Sequence, residues 1–337
     1  MNNLELFQLA SQWVKAGHQV IIGTVINTWG SAPRPLGSVI IINQDGDFEG
    51  SVSGGCIEAA VIHESIELIA TQQSKVLSFG VSDDTAWSVG LSCGGNISVH
   101  LEPFSNLNDL LKDLLCQTTV PALLLARPLA GGSAQVILQE QTGSSPIPGI
   151  DLLTLEMAMK KNKPQLVSTA DSEVFIQPLL ANFHIIVVGA VHIAQHLVPL
   201  LKSLDFQVTL IDPRTAFANA TRFPGITIAH DWPHEIFPTL PIDHRTGLVT
   251  LTHDPKIDNP AILFFLKTNS FYVGCLGSKK THGKRVEFLN NEGLSEDQID
   301  KISAPVGLDL GGRSPSEIAL AIAAEIVCKK YKGSKND

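Results

Sequence analysis

The second half of the chain alternates between strand and helix patterns, and this alternation restricts the fold more than any other feature of the sequence. From Phe183, the buried run FHIIVVG is followed by an amphipathic stretch over 193–204 and a second apolar run, QVTLID. Later segments repeat the alternation, with a strand pattern at GLVTLTH, a helix pattern over 257–268, a strand pattern at SFYVGCLG and a helix pattern over 280–290. This order predicts an α/β fold with a Rossmann-like, doubly wound parallel sheet.

The first half mixes helices with short strands and turns. Helix patterns occupy residues 4–15, 57–71 and 107–116. Strand patterns occupy residues 20–29, 38–43, 48–53, 76–79, 96–102, 122–126, 134–138 and 173–178. The Asp45-Gly46 pair is a hairpin turn signal between two of these strands. We therefore predict an N-terminal mixed α+β domain over 1–180 and a C-terminal Rossmann-like domain over 181–337.

Composition excludes several classes of protein. The 337 residues are 44% hydrophobic, enough for two ordinary cores. A formal net charge of −9 argues against a general nucleic-acid partner, because binding phosphates needs a surplus of Lys and Arg. The N-terminus lacks a signal-peptide pattern, no apolar run is long enough to span a membrane, and the five scattered cysteines look like reduced thiols. We expect a cytoplasmic protein without a membrane partner.

Two cysteines lie in glycine-rich turns, and we expect these to be functional. Cys56 follows Gly54 and Gly55 and directly precedes a helix, and Cys93 is followed by Gly94. Unpaired N–H groups and the helix dipole at a helix start favour a thiolate, which suits sulfur transfer or a soft metal such as molybdenum. Alternatively, Cys56 is a small buried residue at a tight turn. The lack of any C-x-x-C pair excludes a zinc-ribbon interpretation.

The other three cysteines, Cys116, Cys275 and Cys328, lie in apolar patterns and are expected to pack in the core. Arg34 lies between two prolines in the segment GSAPRPLGS, which would present its guanidinium in a fairly fixed position for an oxyanion. A solvated turn arginine is the alternative.

The segment VVGAVHIA occupies the turn where a Rossmann fold has G-x-G-x-x-G. Gly189 is retained, Val191 takes the second glycine position, and Asp212 follows Gly189 by 23 residues, near the usual spacing of the ribose-binding acid. A β-branched residue at the second position obstructs a pyrophosphate, so dinucleotide binding is disfavoured. His192 at the helix start could face a ligand or cap the sheet.

Polar residues also follow later strands of the predicted sheet, where ligands bind in such folds. They are Thr252, His253 and Asp254 after GLVTLT, and Gly277, Ser278, Lys279 and Lys280 after FYVGCL. The second group opens a helix that also carries His282, Lys284 and Arg285, an arrangement suited to an anion. A solvated helix face is the alternative.

The segment PVGLDLGGRSPSEIA contains one structural signal and two residues without one. Ser314 and Glu317 form a capping box, with Pro315 at the first helical position. Asp309 and Arg313 have no comparable structural explanation, so they are functional candidates.

Taken together, these motifs resemble the xanthine dehydrogenase accessory factor family of the XdhC/CoxI type. The matching segments are GSAPRPLGS, SGGCIEAAV, GLSCGGNISVHLEP, VVGAVHIAQHLVPLLKSLDFQVTLIDPR, LTHDP, YVGCLGSKK and PVGLDLGGRSPSEIALAIAAEI. They cover nearly the whole length in family order, which makes the resemblance more specific than a lone Rossmann turn.

The resemblance implies an accessory protein that assists sulfuration of the molybdenum cofactor and its insertion into xanthine dehydrogenase or a related molybdenum hydroxylase. Such a protein would hold molybdopterin transiently, present it to the apo enzyme and work beside a cysteine desulfurase. A homodimer is also expected, because a shallow cofactor site is often completed by a second subunit. By position, Arg34, Cys56 and Cys93 would belong to the surface that handles the cofactor. Family members are also labelled as subunits of xanthine dehydrogenase, but nothing in this sequence indicates intrinsic purine oxidation.

The resemblance places Gly189, His192 and Asp212 in the Rossmann pocket, and Val191 departs from the glycine that is common in the family. An NAD(P)-dependent oxidoreductase, with His253 or His192 as the acid or base, is the rival hypothesis. A structural subunit of a larger dehydrogenase is a third. We favour a cofactor chaperone over a catalyst.

Overall fold

The computed structural model describes residues 1–30, 34–80, 95–117, 120, 122–129, 134–138, 145, 147–170 and 172–332. By its internal contacts the chain divides into two units, Met1–Ala181 and Asn182–Asp337.

The first unit contains four described helices and two antiparallel sheets. The helices are α1 (Asn3–Lys15), α2 (Glu58–Thr71), α3 (Asp109–Leu115) and α4 (Leu152–Lys161). The strands are β1 (Val20–Trp29), β2 (Val39–Asn43), β3 (Phe48–Gly50), β4 (Lys75–Phe79), β5 (Asn96–Pro103), β6 (Leu123–Pro128), β7 (Gln135–Leu138), β8 (Gln165–Ser168) and β9 (Glu173–Leu179).

The larger sheet of this unit has the order β3-β2-β1-β5-β4, and the smaller has the order β7-β6-β9-β8. Alternate residues of β1 and β2 pack on opposite faces of the larger sheet. Ile22 and Ile41 join the core beside α1, whereas Ile21 and Ile40 join the core beside α2. Both faces are therefore covered, which explains the long apolar runs of these strands.

One strand boundary in this unit differs from the sequence prediction, and two elements were not predicted. Strand β3 ends at Gly50, because Gly50 has φ 88° and the chain then turns into the loop before α2. Helix α4 and strand β8 were not predicted at all, although the Asp151 side chain caps α4 by accepting a bond from the Thr154 N–H at 2.6 Å. The mixed α+β character of the unit is confirmed.

The second unit has one six-stranded sheet with helices on both faces. The strands are β10 (His184–Val188), β11 (Gln207–Ile211), β12 (Thr227–Ala229), β13 (Thr246–Thr250), β14 (Tyr272–Cys275) and β15 (Ile302–Ser303). The helices are α5 (His192–Ser203), α6 (Pro233–Ile236), α7 (Pro255–Phe265), α8 (Lys279–Asn291), α9 (Glu296–Ile299) and α10 (Pro315–Lys332).

The sheet order is β12-β11-β10-β13-β14-β15, and every strand pair is parallel. Helices α5 and α10 pack on one face through residues such as Leu197 and Ile322, and α7 and α8 pack on the other through residues such as Ile262 and Leu289. The predicted doubly wound Rossmann-like sheet is confirmed. Its strand order reverses between β10 and β13, which is where ligands bind in open sheets of this kind.

Among the helices of the described part of the chain, none is both long and apolar enough to cross a membrane.

Candidate functional site

The carboxyl edge of the sheet in the second unit collects most of the predicted site residues. The turn after β10 contains Gly189 and leads to His192, the first residue of α5. The turn after β13 contains His253 and Asp254, and the turn after β14 contains Ser278 and leads to Lys279. Because all six strands are parallel, these turns share one edge of the sheet.

The β10 turn is held by contacts within the protein. Gly189 has φ 112°, and its N–H donates to the Ile211 carbonyl at 2.9 Å. A Cβ atom at Gly189 would lie 2.7 Å from Cγ2 of Thr252. Packing against the β13 turn therefore already explains this glycine. Val191 is half-buried against the core beside α5, and His192 is exposed.

Asp212 lies inside the fold instead of facing a ligand. Its buried carboxylate accepts bonds from the Ala190 N–H at 2.8 Å and from Nε and Nη2 of Arg214, each at 2.8 Å. Burial alone would raise the pKa of Asp212, but the hydrogen bonds from Arg214 and Ala190 lower it. Both carboxylate oxygens hold the β10 turn and the neighbouring arginine, and the place of Asp212 in a ligand pocket stays a prediction.

Two arginines that the sequence analysis did not single out lie beside the β10 turn. Arg214 stacks on Phe217, with its guanidinium carbon 4.4 Å from the ring centroid. Arg222 donates to the Ala190 carbonyl at 3.0 Å and to Oε1 of Gln195 at 3.0 Å. The sequence signal for Arg214 was its position two residues after Asp212 in the segment DPR.

The β13 turn has an unusual backbone and a dense hydrogen-bond pattern. His253 is exposed and adopts φ 60°, a left-handed conformation that is uncommon outside glycine. Thr252 donates to Oδ1 of Asp258 at 2.7 Å and accepts from the Asp254 N–H at 3.0 Å. Asp254 caps α7 by accepting from the Lys256 N–H at 2.9 Å. Of the residues predicted at this turn, His253 thus faces solvent, and Asp254 stabilises the start of α7.

A polar cluster, buried except for the half-buried His282, lies beneath the β13 and β14 turns. We call Asp258, Cys275, His282 and Arg285 the Arg285 cluster, because the Arg285 charge acts on each of the other three. Asp258 is 1% exposed and Arg285 is 5% exposed. Four atoms of the cluster are buried without a hydrogen-bond partner in the described structure, namely Oδ2 of Asp258, Nδ1 of His282, and Nε and Nη1 of Arg285.

Burial dominates the acid–base properties of this cluster. It raises the pKa of Asp258 and raises the pKa of the Cys275 thiol to about 12. Burial, with the nearby charge of Arg285, lowers the pKa of His282. Native proteins pair almost all buried polar groups, so the four unpaired atoms make this cluster a candidate for contact with a ligand.

Helix α8, which contributes His282 and Arg285 to this cluster, begins at Lys279. Ser278 caps the helix by accepting from the Thr281 N–H at 3.2 Å, and Gly277 has φ 142°. Ser278, Lys279 and Lys280 are exposed at the helix start. Anion binding at this turn stays a prediction, and the residues named for it are accessible at the helix start.

The loop after β15 is organised by Glu317. Its carboxylate accepts from the N–H groups of Arg313 at 3.0 Å and Ser314 at 2.9 Å, and the Glu317 N–H donates to the Ser314 hydroxyl at 3.3 Å. The predicted capping box is confirmed. The side chains of Asp309 and Arg313 are exposed, and Asp309 also accepts from the Gly311 N–H at 3.3 Å.

In the first unit, the loop that leads to Cys56 is wrapped around the Glu58 carboxylate. Oε1 accepts from the N–H groups of Val52 at 3.2 Å, Ser53 at 2.9 Å and Gly54 at 3.0 Å. Oε2 accepts from the Gly55 N–H at 2.8 Å and from the Ser53 hydroxyl.

Oε1 also accepts from the Ser51 hydroxyl, at 2.8 Å. Burial alone would raise the pKa of Glu58, but the bonds from the Ser53 and Ser51 hydroxyls and from backbone N–H groups lower it to about 2. Unpaired N–H groups were predicted around Cys56 from the sequence. This was wrong for residues 52–55, because Glu58 is the anion that those N–H groups bind.

The Cys56 side chain at the end of this loop is nevertheless partly exposed. Gly54 and Gly55 are exposed with φ 80° and 119°, and no atom would lie within 4 Å of a Cβ at either position. The backbone conformation therefore requires the glycines, and they leave open space beside Cys56. The Cys56 thiol is free and half-buried. Cys93 and Gly94 lie outside the described residues.

The base of the Arg34 loop is anchored to a buried network. The Gly37 carbonyl accepts from Nε2 of Gln177 at 2.9 Å, and Gln177 in turn accepts from Nη1 of Arg127 at 2.6 Å. Arg127 is 1% exposed and pairs with Glu102 at 2.5 Å. Arg34 itself is exposed. These bonds hold Gly37 in place, and the Arg34 guanidinium is free to contact solvent or a ligand.

The remaining cysteines divide between core and surface. Cys275 is buried and Cys328 is half-buried, but Cys116 is exposed, so the prediction of core packing was wrong for Cys116. Cys116 follows the last turn of α3, where its Sγ lies 3.8 Å from the Ser11 hydroxyl. Hydrogen bonds from Lys15 and Ser11 lower the pKa of this thiol.

Within the described ranges, no three His, Cys, Asp or Glu side chains are placed to hold a metal ion. Binding of a metal ion by Cys56 and Cys93 stays a prediction, because Cys93 lies outside those ranges.

Two family models match the chain. The model of the XdhC and CoxI family matches residues 13–80, and the model of the XdhC Rossmann domain matches residues 185–326. The molybdenum cofactor insertion chaperone PaoD of Escherichia coli (strain K12) is 26% identical over 326 residues, which cover 95% of this chain and 86% of that protein. A probable xanthine dehydrogenase subunit of Bacillus subtilis (strain 168) is 25% identical, with 92% of each chain covered.

The fold has a counterpart among solved structures. A crystal structure of a xanthine dehydrogenase from Bacillus halodurans aligns with a TM-score of 0.78 over 98% of this chain and 96% of that one, at 23% identity. At this identity the likeness supports the fold alone.

Proposed function

Since the chain belongs to the XdhC/CoxI family, we propose that it binds the molybdenum cofactor and assists its sulfuration and insertion into xanthine dehydrogenase or a related molybdenum hydroxylase. The similarity to a molybdenum cofactor insertion chaperone over 95% of the chain supports this proposal. The chain acts as a chaperone for the cofactor and does not catalyse purine oxidation itself.

The loop from Ser51 to Cys56 is the observation that carries the proposal. Its N–H groups at residues 52–55 are bound to Glu58, so the protein itself fixes the loop conformation before any ligand arrives. A fixed loop costs little entropy on binding. The chemically distinctive group that it offers is the thiol of Cys56, which is free and half-buried beside two open glycines.

The chain has donor groups of the kinds that the cofactor needs. When bound, the cofactor supplies a phosphate, which needs N–H or cationic donors, and a sulfur-coordinated metal, for which a thiolate is a suitable soft ligand. The first unit has Cys56 as a candidate soft ligand and the exposed Arg34 as a candidate oxyanion donor. The second unit, considered by itself, has candidate anion donors at the carboxyl edge of its sheet, namely the N–H groups of Arg285 together with His253, Ser278 and Lys279.

The partners follow from the task of a chaperone. The cofactor is held transiently, receives sulfur with the help of a cysteine desulfurase, and is released to the apo hydroxylase. The protein works as a homodimer. The exposed side chains of Asp309 and Arg313 are candidate contacts for the cofactor.

Anaerobic titration of the full chain with molybdopterin tests the proposal. We expect stoichiometric binding by the wild type and at least tenfold weaker binding by Cys56→Ser, because a hydroxyl is a poor soft ligand. Cys328→Ser is the matched control, since that thiol is also half-buried but lies in α10. Equal binding by wild type, Cys56→Ser and the Cys56→Ser, Cys93→Ser double variant would remove the thiols from the proposal.

An NAD(P)-dependent oxidoreductase is the second candidate, favoured by the Rossmann strand order. Two observations weigh against it. Val191 occupies the turn where the pyrophosphate would approach, and the Asp212 carboxylate is bound to Arg214 and Ala190. Calorimetry with NAD and NADP decides between the candidates, since tight binding would restore the oxidoreductase.

A further inference from the structure

The N-terminus of α8 differs from the other helix starts at the carboxyl edge of the second unit because charged, unpaired groups lie beneath it. Arg285, in the second turn of α8, is 5% exposed, and its Nη2 donates to the Leu276 carbonyl at 3.4 Å. This bond places the guanidinium under the β14 turn, just before the helix begins. Nε and Nη1 are buried without a hydrogen-bond partner in the described structure.

A buried guanidinium with unpaired N–H groups is costly, because a charged group leaves water without recovering its hydrogen bonds. The neighbouring acid, Asp258, interacts with Arg285 through its charge but makes no hydrogen bond to it in the described structure. Oδ1 of Asp258 accepts from Thr252 at 2.7 Å, and Oδ2 is itself unpaired. The cluster therefore has free donors from Arg285 and a free carboxyl oxygen, both under one turn, which is the composition of a ligand site.

The helix start above this cluster favours an anion. The first N–H groups of an α-helix have no partner within the helix, and the helix dipole adds positive potential there. Lys279 and Lys280 are exposed at this end, and the first turn of α8 contains no acidic side chain. Lys284 and Arg285 add two positive charges in the next turn, in a chain whose formal net charge is −9.

We propose that the start of α8, with Lys279 and Lys280 outside and Arg285 beneath the turn, is a binding site for a phosphomonoester group. A dianion of this kind accepts from backbone N–H groups, from ammonium groups and from a guanidinium at once. Assigning this group to the phosphate of molybdopterin rests on the proposed function. The anion site itself does not.

Burial raises the pKa of Asp258, and the nearby charge of Arg285 opposes this rise. Since Nε and Nη1 of Arg285 are sealed from solvent, direct contact with them requires the turn at Gly277 to move on binding.

Titration of the full chain with inorganic phosphate, followed by 31P NMR at constant ionic strength, tests the anion site. We expect specific binding by the wild type and about tenfold weaker binding by the surface double variant Lys279→Gln, Lys280→Gln. Arg285→Lys keeps the charge but changes the donors, and should also weaken binding. Lys256→Gln is the matched control, because Lys256 is an exposed lysine at the start of α7 on the same edge.

The result that overturns the anion site is no phosphate binding by the wild type, or an equal loss in Lys256→Gln and in the double variant. Parallel titrations with molybdopterin and ADP separate the sources of the phosphate. If molybdopterin binds the wild type and the double variant equally, the assignment of its phosphate to α8 fails while the proposed function stands. If phosphate binds and molybdopterin does not, the anion site stands and the proposed function fails. Binding of ADP in preference to molybdopterin would overturn the assignment to a pterin phosphate.

Discussion

Replacing Glu58 by Gln should destabilise the first unit more than any exposed acid-to-amide change on the same helix. The carboxylate receives two hydroxyl bonds and four backbone N–H bonds from Ser51 to Gly55. A glutamine side chain has one oxygen to accept bonds, and its amide nitrogen would face N–H donors that it cannot bind. Part of the loop before Cys56 would therefore lose its partners.

The size of the effect follows from the pKa. Moving the Glu58 pKa from its ordinary value of 4.5 to about 2 in the folded state stabilises the ionised protein by about 3 kcal/mol, at about 1.4 kcal/mol per pKa unit. Because the folded-state pKa is the lower one, this stabilisation is fully present above pH 4.5. It is lost as the pH falls towards about 2.

Hydrogen exchange followed by mass spectrometry measures the stability of the first unit by itself, since peptides from β3 and α2 report on the loop separately from the second unit. We expect faster exchange of these peptides in Glu58→Gln at pH 7, corresponding to about 3 kcal/mol, and a smaller difference from wild type towards pH 3. Glu67→Gln, an exposed acid on α2, is the control and should change exchange little. A Glu58→Gln protein within about 1 kcal/mol of wild type at pH 7 would refute the reasoning.

Further predictions concern the second unit and the thiols. Gly189→Ala should cost about 3 kcal/mol or more in urea unfolding, because φ 112° and the 2.7 Å approach to Thr252 both oppose a Cβ; no loss would contradict the packing argument. Asp212→Asn should cost about 2 to 3 kcal/mol by weakening its bonds to Arg214, and a cost no greater than in the exposed control Asp231→Asn would contradict this. In native protein at pH 8, iodoacetamide should modify Cys116 quickly and spare Cys275, whose burial raises its thiol pKa to about 12; peptide mapping that finds the opposite order would contradict the placement of both thiols.

The parallel sheet of the second unit was predictable because its signal is local. Strands buried on both faces are apolar throughout, and β10, β13 and β14 are each followed by a helix, so the alternation is visible in sequence order. The glycine at position 189 was also visible. Its reason was not, because the close approach to Thr252 joins residues that are far apart in the chain.

The site was harder to predict because one residue type can serve two purposes. Asp212 has the spacing of a ribose-binding acid, yet its carboxylate binds Arg214, two residues later. The glycines before Cys56 suggested free N–H groups, whereas Glu58, the first residue of α2, binds those N–H groups. The serines at 51 and 53 together with the acid at 58 were the available signal, but pairing them requires knowledge of how the loop closes.

Cys116 shows the limit of apolar pattern as a guide to burial. Its neighbours Leu114 and Leu115 are core residues, but Cys116 lies at the end of α3, where the helix stops and the side chain turns outward. Boundaries of this kind depend on the last turn of a helix, and sequence patterns locate that turn poorly.

The most direct test of the account is to identify the small molecule that stays bound when the protein is isolated without oxygen from cells that make molybdopterin. Mass spectrometry should find molybdopterin or its metal-bound form bound to the wild type, and much less in a Cys56→Ser protein isolated in the same way. Isolation of wild-type protein that carries a nicotinamide nucleotide and no pterin would contradict the account.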